Sequence, residues 1–258
     1  MNNYALITGA SRGIGKALSI QLAEAGYNLM LIARSATELE DLSFIIKNKY
    51  KVDVRYFASD LSAANAPKEV SAWCNSQNTG ISILINNAGY GLWGNFSSLS
   101  VTEQLNMLQL NVNAVVELTY HLLPALKLQK QAYILNISST AAYQALPSLA
   151  LYGASKTFIL NYSRAIRYEL KDSPVAVSCL CPGPTDTGFA SRAGLDEFAD
   201  LAEKFNMSPE EVAKTGLKGM FNKKAEIIPG FLNQLSSFFA RHLPSSLVER
   251  VSAKLYTR

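Results

Sequence analysis

Short apolar runs alternate with longer amphipathic stretches along most of the chain. The runs are rich in β-branched and aromatic residues, and they predict strands near 4–8, 27–33, 52–57, 81–86, 132–138, 174–180 and 224–228. Apolar positions at helical spacing predict helices near 13–25, 36–48, 67–77, 101–128, 152–171 and 209–221. This alternation is typical of parallel strands joined by right-handed crossovers. The chain is therefore predicted to form an α/β fold around a doubly wound parallel sheet.

The middle strands are apolar on both faces, as in Ile81-Ser82-Ile83-Leu84-Ile85. Such strands suit a sheet that helices cover on both sides. No repeat, low-complexity tract or Pro/Gly-rich linker divides the chain. We therefore expect one domain over residues 1–230, with residues 231–258 as a helical C-terminal extension of it.

Composition narrows the class of protein. Of the 258 residues, 48% are apolar and 17% are charged, which excludes an intrinsically disordered chain. Three Cys without paired spacing argue against a disulfide framework, and two His argue against a His-built metal site. A net charge of +4 gives no reason to expect a nucleic-acid partner.

The N-terminus enters an apolar run directly, without the basic region and apolar stretch of a secretory signal. No uninterrupted apolar run approaches the length needed to span a bilayer. We expect a soluble, cytoplasmic protein.

The turn after the first predicted strand has the features of a dinucleotide phosphate site. It reads Thr8-Gly9-Ala10-Ser11-Arg12-Gly13-Ile14-Gly15. Gly9 permits the sharp turn, Gly13 lets the backbone approach a pyrophosphate, and Gly15 lets the helix lie close to the sheet. The helix N-terminus adds free N–H groups and a partial positive charge. The alternative is a tight strand-to-helix turn that binds no ligand.

The second strand favours NADP(H) over NAD(H). An NAD site usually places an acid about 20 residues beyond the glycines. The stretch from Leu29 to Ser35 has no acid and includes Arg34, and Arg12 lies in the glycine turn itself. Two guanidiniums near one ribose suit a 2′-phosphate. Alternatively, Arg34 is a solvated residue at the end of a strand.

A Tyr and a Lys four residues apart open a predicted helix. This spacing puts Tyr152 and Lys156 on one helix face, where the ammonium favours the phenolate form of the tyrosine. Upstream, Ser138-Ser139 ends a predicted strand at the edge of the sheet where ligands bind. A hydroxyl there can donate to a carbonyl oxygen. Each feature alone also occurs on ordinary helices and turns.

Taken together and in order, these motifs resemble the short-chain dehydrogenase/reductase family in its compact branch. The resemblance covers residues 4–230. The matching motifs are Thr8-Gly9-x-x-x-Gly13-Ile14-Gly15, Asp60-Leu61, Asn86-Asn87-Ala88-Gly89, Asn111, Ser139, Tyr152-x-x-x-Lys156 and Pro182-Gly183-x-x-x-Thr187.

The resemblance implies a Rossmann-type fold and a catalytic set of four residues. Tyr152 would be the general acid in reduction and the base in oxidation. Lys156 would hold the nicotinamide ribose and lower the pKa of Tyr152. Ser139, chosen over Ser138 by its spacing to Tyr152, would orient the substrate carbonyl. Asn111 would help hold a water in a proton relay to Lys156.

The resemblance also implies the residues that hold the cofactor, NADP(H). Asp60 would accept from the adenine amino group, and the backbone near Thr185 and the Thr187 hydroxyl would hold the carboxamide. Asn87 to Gly89 would line the adenosine ribose. The full implied set is Gly9, Ser11, Arg12, Gly13, Ile14, Gly15, Arg34, Asp60, Leu61, Asn87, Ala88, Gly89, Tyr152, Lys156, Pro182, Gly183, Thr185 and Thr187.

Several of these residues also have plain structural interpretations. Asn111 alone would be interpreted as a buried side chain that satisfies backbone groups in a long helix. Asn86-Asn87 suits an ordinary strand-end turn, and Asp60 suits a helix cap.

The expected activity is hydride transfer between NADP(H) and a carbonyl or alcohol. The resemblance implies that the substrate pocket is closed by the loops after the fourth and fifth strands and by the segment from Gly188 through Ala190 onward. These segments are apolar, which suits a lipophilic substrate; alternatively, they simply pack as a lid over the nicotinamide. The alternative is a non-catalytic NADP-binding regulator with the same fold, and the intact Ser139, Tyr152 and Lys156 argue against it. The family resemblance implies a homodimer or homotetramer through the helices near 101–128 and 152–171.

The positive charge is concentrated in the C-terminal part of the chain. Residues 204–258 carry nine Lys or Arg and four Asp or Glu, so the net charge of the preceding residues is close to zero. Phe231, Leu232, Leu235, Phe238 and Phe239 fall at helical spacing, and Ser246 with Glu249 suggests a capping box for a further helix. A basic amphipathic helix pair can lie on a membrane surface. Docking on a subunit or on its own domain is the favoured alternative.

Overall fold

Seven parallel strands form the centre of the molecule in a computed structural model that describes residues 3–189, 193–194 and 206–256. The strands are β1 (Asn3–Thr8), β2 (Asn28–Ala33), β3 (Val54–Ala58), β4 (Gly80–Asn86), β5 (Ala132–Ile137), β6 (Val175–Leu180) and β7 (Glu226–Ile227). Their order is β3-β2-β1-β4-β5-β6-β7. The predicted α/β doubly wound sheet is confirmed, with its change of direction between β1 and β4.

Helices cover both faces of this sheet. They are α1 (Gly13–Glu24), α2 (Ala36–Tyr50), α3 (Ala66–Ser76), α4 (Val101–Leu108), α5 (Ala114–Lys127), α6 (Ala150–Glu169), α7 (Pro209–Phe221), α8 (Phe231–His242) and α9 (Ser245–Tyr256). One core cluster joins α1, α2 and α7 to the sheet, and a second joins α3 and α5 to the opposite face. Within the described ranges, no helix is long and apolar enough to cross a membrane.

The helix predicted over 101–128 is divided by a π-helical turn at Gln109–Asn113. The side chain of Asn111 inside this turn bonds to the backbone of Tyr90, which local helix propensity does not encode. Single π-turns inside helices are rare and are found mostly at functional sites.

The structure differs from the sequence analysis at the starts of two helices, α7 and α9. The start of α7 is a complete capping box between Ser208 and Glu211, a pair that the sequence analysis passes over. The capping box predicted from Ser246 and Glu249 is wrong, since α9 begins at Ser245 and Ser246 lies inside the helix.

Candidate active site

The carboxyl ends of β1, β4, β5 and β6 meet at one edge of the sheet, and the predicted site residues lie there. Thr8 at the end of β1 links two of these ends. Its hydroxyl accepts from the backbone N–H groups of Asn87 and Ala88 at 2.9 and 3.0 Å. The side-chain amide of Asn87 donates to the carbonyls of Thr8 at 2.9 Å and Gly9 at 3.2 Å. Asn87 therefore holds the start of the glycine turn in place.

The glycine turn leaves no room for side chains. Gly9 and Gly13 have φ of +64° and +50°, which favours glycine. A Cβ on Gly15 would lie 2.1 Å from the Gly9 carbonyl oxygen. No side chain caps α1, so its first N–H groups keep the partial positive charge that attracts a phosphate. Ile14 packs on the core behind the turn. The cradle fits a dinucleotide pyrophosphate.

Arg12, predicted as a ligand of the 2′-phosphate, is paired with an acid in this structure, and its role towards the cofactor stays a prediction. Its guanidinium forms an ion pair with Glu38 in the first turn of α2, with Nε 2.9 Å from Oε1. Arg12 holds the pKa of Glu38 below its usual range, and a hydrogen bond from Ser11 lowers it further. Arg34 is exposed directly after β2, which fits both a phosphate ligand and the solvated residue of the alternative interpretation, so its role stays a prediction.

Glu38 is a residue that the sequence analysis missed. Glu38 lies three positions beyond Ser35, the last residue of the acid-free stretch after the glycine turn. The available signal was Ser35 as the cap of α2, whose hydroxyl accepts from the backbone N–H of Glu38 at 3.3 Å.

Asp60 closes a short turn after β3. One carboxylate oxygen accepts from the backbone N–H of Ser62 at 3.0 Å and from the Ser62 hydroxyl at 2.7 Å. Leu61 is buried in the core cluster that includes α3. Asp60 thus closes a turn and does not cap α3, whose N-cap position is Asn65, and its role towards adenine stays a prediction.

Tyr152 and Lys156 lie on one face of α6, as the spacing predicts. The Lys156 ammonium is 5.7 Å from the centroid of the Tyr152 ring. Lys156 is buried and donates to the Ile137 carbonyl at 3.1 Å. Burial lowers the pKa of Lys156 to about 8. A cation held this close favours loss of the phenolic proton.

The two serines after β5 have different surroundings. The Ser138 hydroxyl is buried and donates to the Lys156 carbonyl at 2.7 Å. Ser139 is half-buried, and its hydroxyl accepts from the backbone N–H of Ala141 at 3.1 Å and donates to the Pro182 carbonyl at 3.4 Å. The weaker donation leaves Ser139 as the serine better able to turn towards a substrate.

Asn111 makes the contacts of a structural residue beside the site. Its amide donates to the Tyr90 carbonyl at 2.9 Å and to the Ser155 hydroxyl at 3.2 Å, and its oxygen accepts from the Tyr90 N–H at 3.1 Å. A Cβ on Gly89 would lie 2.9 Å from that oxygen and 3.4 Å from the Lys156 ammonium. Asn111, Gly89 and Lys156 are therefore in close contact.

The segment after β6 returns to the glycine turn. The Thr185 hydroxyl donates to the Gly183 carbonyl at 3.0 Å, and Thr187 donates to the Thr185 carbonyl at 3.4 Å. A Cβ on Gly13 would lie 2.7 Å from Cβ of Thr187. The predicted pyrophosphate and carboxamide sites are thus adjacent.

Apolar side chains surround Tyr152 on the substrate side. Buried Met107, Ala141, Leu146 and Leu149 form a cluster with Tyr152, and the Phe189 ring lies 5.3 Å from the tyrosine ring. The backbone N–H of Trp93 donates to the Ala193 carbonyl at 2.9 Å. Ala190, predicted to border the pocket, lies outside the described residues.

A buried polar network behind the site was also missed. The Asn86 amide donates to Asn136 at 2.8 Å and to Thr119 at 3.1 Å, and Asn136 donates to Ser163 at 2.9 Å. These bonds join β4, β5, α5 and α6. Fully buried hydrogen bonds of this kind fix the strand ends that carry the site.

Comparison with known proteins identifies the class. A profile described as "short chain dehydrogenase" matches residues 3–198. The chain belongs to the short-chain dehydrogenase family. This match confirms the resemblance drawn from the motifs, and the family is one of oxidoreductases.

Two relatives found by sequence and one solved structure illustrate what the chain is similar to. The very-long-chain 3-oxoacyl-CoA reductase of Coprinopsis cinerea is 33% identical over 67% of this chain and 52% of its own length. The chain thus spans about half the length of that relative. The 17-beta-hydroxysteroid dehydrogenase type 3 of Mus musculus is 30% identical over 98% of this chain and 83% of its own length. A short-chain dehydrogenase from Sphingobium yanoikuyae in complex with NADPH has a TM-score of 0.82 and 26% identity, over 95% and 96% of the two chains.

Proposed function

We propose that this chain transfers a hydride between NADP(H) and the carbonyl or alcohol group of a lipophilic substrate. The observation that carries the proposal is the buried Lys156 beside the ring of Tyr152, with Ser139 at the adjoining strand end. The non-catalytic alternative gives no reason to keep a buried cation at this position. Burying a charge costs free energy, and the catalytic role accounts for that cost.

In the reductive direction, Tyr152 gives its phenolic proton to the substrate oxygen. The Ser139 hydroxyl donates to the same oxygen and polarises the carbonyl. Lys156 is charged below its pKa of about 8 and stabilises the phenolate that forms. The bound cofactor supplies the hydride. In oxidation the Tyr152 phenolate takes the proton back.

Proton resupply involves Asn111 through its backbone. Its side chain is already bonded to Tyr90 and Ser155. In the π-turn at Gln109–Asn113, backbone N–H groups bond to carbonyls five residues earlier. The backbone carbonyls are therefore hydrogen-bonded differently here from those in the rest of the helix. We therefore assign the predicted water relay to the main-chain carbonyl of Asn111, with the side chain in a positioning role.

The proposed substrate has a carbonyl or hydroxyl on a large apolar body. The apolar cluster around Tyr152 supports this class. The names of the two relatives, a 3-oxoacyl-CoA reductase and a hydroxysteroid dehydrogenase, also fit it. A homodimer or homotetramer remains part of the proposal, supported by exposed Leu105 on α4, Tyr120 on α5 and Phe158 on α6. Cytoplasmic localisation stays a prediction.

Replacing the phenol tests the catalytic assignment. Tyr152→Phe is expected to lower kcat for NADPH-dependent reduction of an apolar ketone panel about 100-fold or more, because the proton donor is lost. NADPH binding, followed by fluorescence, is expected to persist. Tyr168→Phe, on the exposed outer surface of α6, is the matched control and keeps full activity. A Tyr152→Phe enzyme as fast as wild type would contradict the assignment.

Two opposite charge changes test the cofactor preference. Arg34→Ala is expected to weaken NADPH binding about tenfold while NADH binding changes little, because a charge-assisted phosphate contact is lost. Glu38→Gln is expected to strengthen NADPH binding by up to about fivefold, since it frees Arg12 from an exposed ion pair.

Titration calorimetry with both cofactors measures these effects, with Arg250→Ala as the control. Equal changes for NADPH and NADH in Arg34→Ala would remove the preference for NADP(H). They would leave the assignment of Tyr152 intact.

A further inference from the structure

Helix α8 is attached to the domain by its polar face. The Asn233 amide donates to the Pro229 carbonyl at 2.8 Å, and the Gln234 amide donates to the Ile228 carbonyl at 2.9 Å. Arg241 forms an ion pair with Glu226, and Ser237 is buried. In a water-soluble protein the apolar stripe of such a helix normally faces the core.

The apolar residues of α8 point outward instead. Phe231 is 75% exposed and Phe238 is 54% exposed. Exposed apolar residues are also present in the following turn and on α9. We name the α8–α9 apolar face as the exposed residues Phe231, Leu232, Leu235, Phe238, Phe239, Leu243, Leu247 and Val251. The five α8 residues share one face of the helix by their spacing, and an exposed apolar helix face of this kind indicates a binding surface.

Cations lie beside this face. A cleft of about 720 Å³ between α7 and α8 is lined by Lys214, Lys218, Lys224, Arg241 and His242. Glu226 is the acid among the described lining residues, and it is already paired with Arg164 and Arg241. Arg250 and Lys254 are exposed on α9.

The charge decides between two occupants. A second copy docked by two-fold symmetry would bring the same patch of lysines and arginines towards itself, which is unfavourable. An anionic bilayer complements the cations and also accepts the phenylalanine rings.

We propose that the α8–α9 apolar face docks on the surface of an anionic lipid bilayer. The phenylalanines enter the boundary between headgroups and acyl chains, and the lysines of the cleft meet lipid phosphates. The docked helix is also close to the candidate active site. A Cβ on Gly183 would lie 2.2 Å from the Asn233 oxygen, and Arg241 stacks 4.1 Å from the Tyr143 ring centroid. The proposal is independent of the reductase activity.

Flotation of the full chain with vesicles tests the apolar contribution. Wild type is expected to float with vesicles of equal parts phosphatidylcholine and phosphatidylserine, and less with phosphatidylcholine alone. Phe231→Ser/Phe238→Ser is expected to lower the bound fraction at least about tenfold, since each ring contributes through its buried apolar area. The control Phe44→Ser, which changes an exposed side chain of α2, is expected to float like wild type. Equal flotation of wild type and the double variant would overturn the proposal.

A charge variant tests the lipid class. Lys218→Gln/Lys224→Gln is expected to lose binding to the anionic vesicles by about fivefold per charge, with little change on phosphatidylcholine. Lys47→Gln/Lys49→Gln on α2 is the matched control. Loss of binding in the control pair to the same extent would show a nonspecific charge effect and overturn the assignment to this face.

Insertion and self-association give independent readouts. A Phe238→Trp variant is expected to lose fluorescence on vesicles with brominated acyl chains, whereas Phe44→Trp is not. If the wild-type chain does not float, and Phe231→Ser/Phe238→Ser converts an oligomer to a monomer in sedimentation velocity, the face belongs to a second copy. That result would overturn the lipid proposal.

Discussion

Lys156 combines a buried charge with several close partners. Its ammonium bonds to the Ile137 carbonyl, and Tyr152 lies beside it on the same helix. Cys179 of β6 and Cys181, one residue past the end of β6, interact with the ammonium electrostatically, and both thiols are buried. Burial outweighs the effect of these groups and lowers the pKa of Lys156 from 10.5 to about 8. The folded protein therefore disfavours the charged form that catalysis uses.

This shift makes stability depend on pH in a defined window. Below about pH 8 the lysine is protonated in both the folded and unfolded states, so its burial cost is constant. Between about 8 and 10.5 the unfolded chain binds more protons, so the free energy of unfolding rises with pH. The contribution of Lys156 across that window is expected to be about 3 kcal/mol.

Urea unfolding of the cofactor-free protein at several pH values measures this effect. Lys156→Met has no titrating group at this position, so the difference between wild type and variant removes the contribution of other lysines and tyrosines. Stability curves that stay parallel across the window would show that the pKa of Lys156 is not lowered.

At the scale of elements, two helical glycines differ sharply in the space around them. A Cβ at Gly15 in α1 would lie 2.1 Å from a backbone oxygen, whereas a Cβ at Gly153 in α6 would have its nearest neighbour at 3.6 Å. Gly15→Ala is therefore expected to destabilise the protein by about 3 kcal/mol and to abolish dinucleotide binding. Gly153→Ala is expected to stabilise it by about 0.5–1 kcal/mol, because alanine favours the helix.

Thermal unfolding and NADPH titration of both variants check this pair. Each variant adds one methyl group to a helix, so the contrast isolates the approach of α1 to the sheet. Similar unfolding temperatures for the two variants would refute close packing at the glycine turn.

Local patterns predict elements well and long-range partners poorly. The seven strands follow from apolar runs, because burial on both faces of the sheet leaves a continuous signal in the sequence. The π-turn around Asn111 does not, because it depends on the backbone of Tyr90, 21 residues away. The pairing of Glu38 with Arg12 was not predicted for the same reason, since the two residues are 26 positions apart in the sequence. Within the site, Tyr152 and Lys156 could be paired because both lie on one helix, where spacing determines proximity.

For the molecule as a whole, Glu226 on the edge strand β7 joins three separate elements. Its side chain is 13% exposed. It accepts from the Tyr143 hydroxyl at 2.8 Å and from Arg164 of α6 at 2.9 Å, and it pairs with Arg241 of α8. Burial raises the pKa of Tyr143, so its hydroxyl stays a donor. Glu226 therefore adds a charged link between α8, α6 and the turn at Tyr143 to the polar contacts that Asn233 and Gln234 already make.

Removing that charge should loosen α8 without unfolding the sheet. Glu226→Gln leaves Arg164 and Arg241 without their counter-ion, and because Arg164 is 57% exposed, solvent offsets much of the loss. The expected local cost is about 1–2 kcal/mol. Hydrogen exchange is expected to speed up in α8 and in the turn at Thr140–Tyr143, while β1 and β4 keep their protection. Glu210→Gln, an exposed change on α7, should alter neither. If α8 kept wild-type protection in Glu226→Gln, the polar contacts of Asn233 and Gln234 would suffice to hold the helix. The ion pair with Glu226 would then not be needed to keep α8 in place.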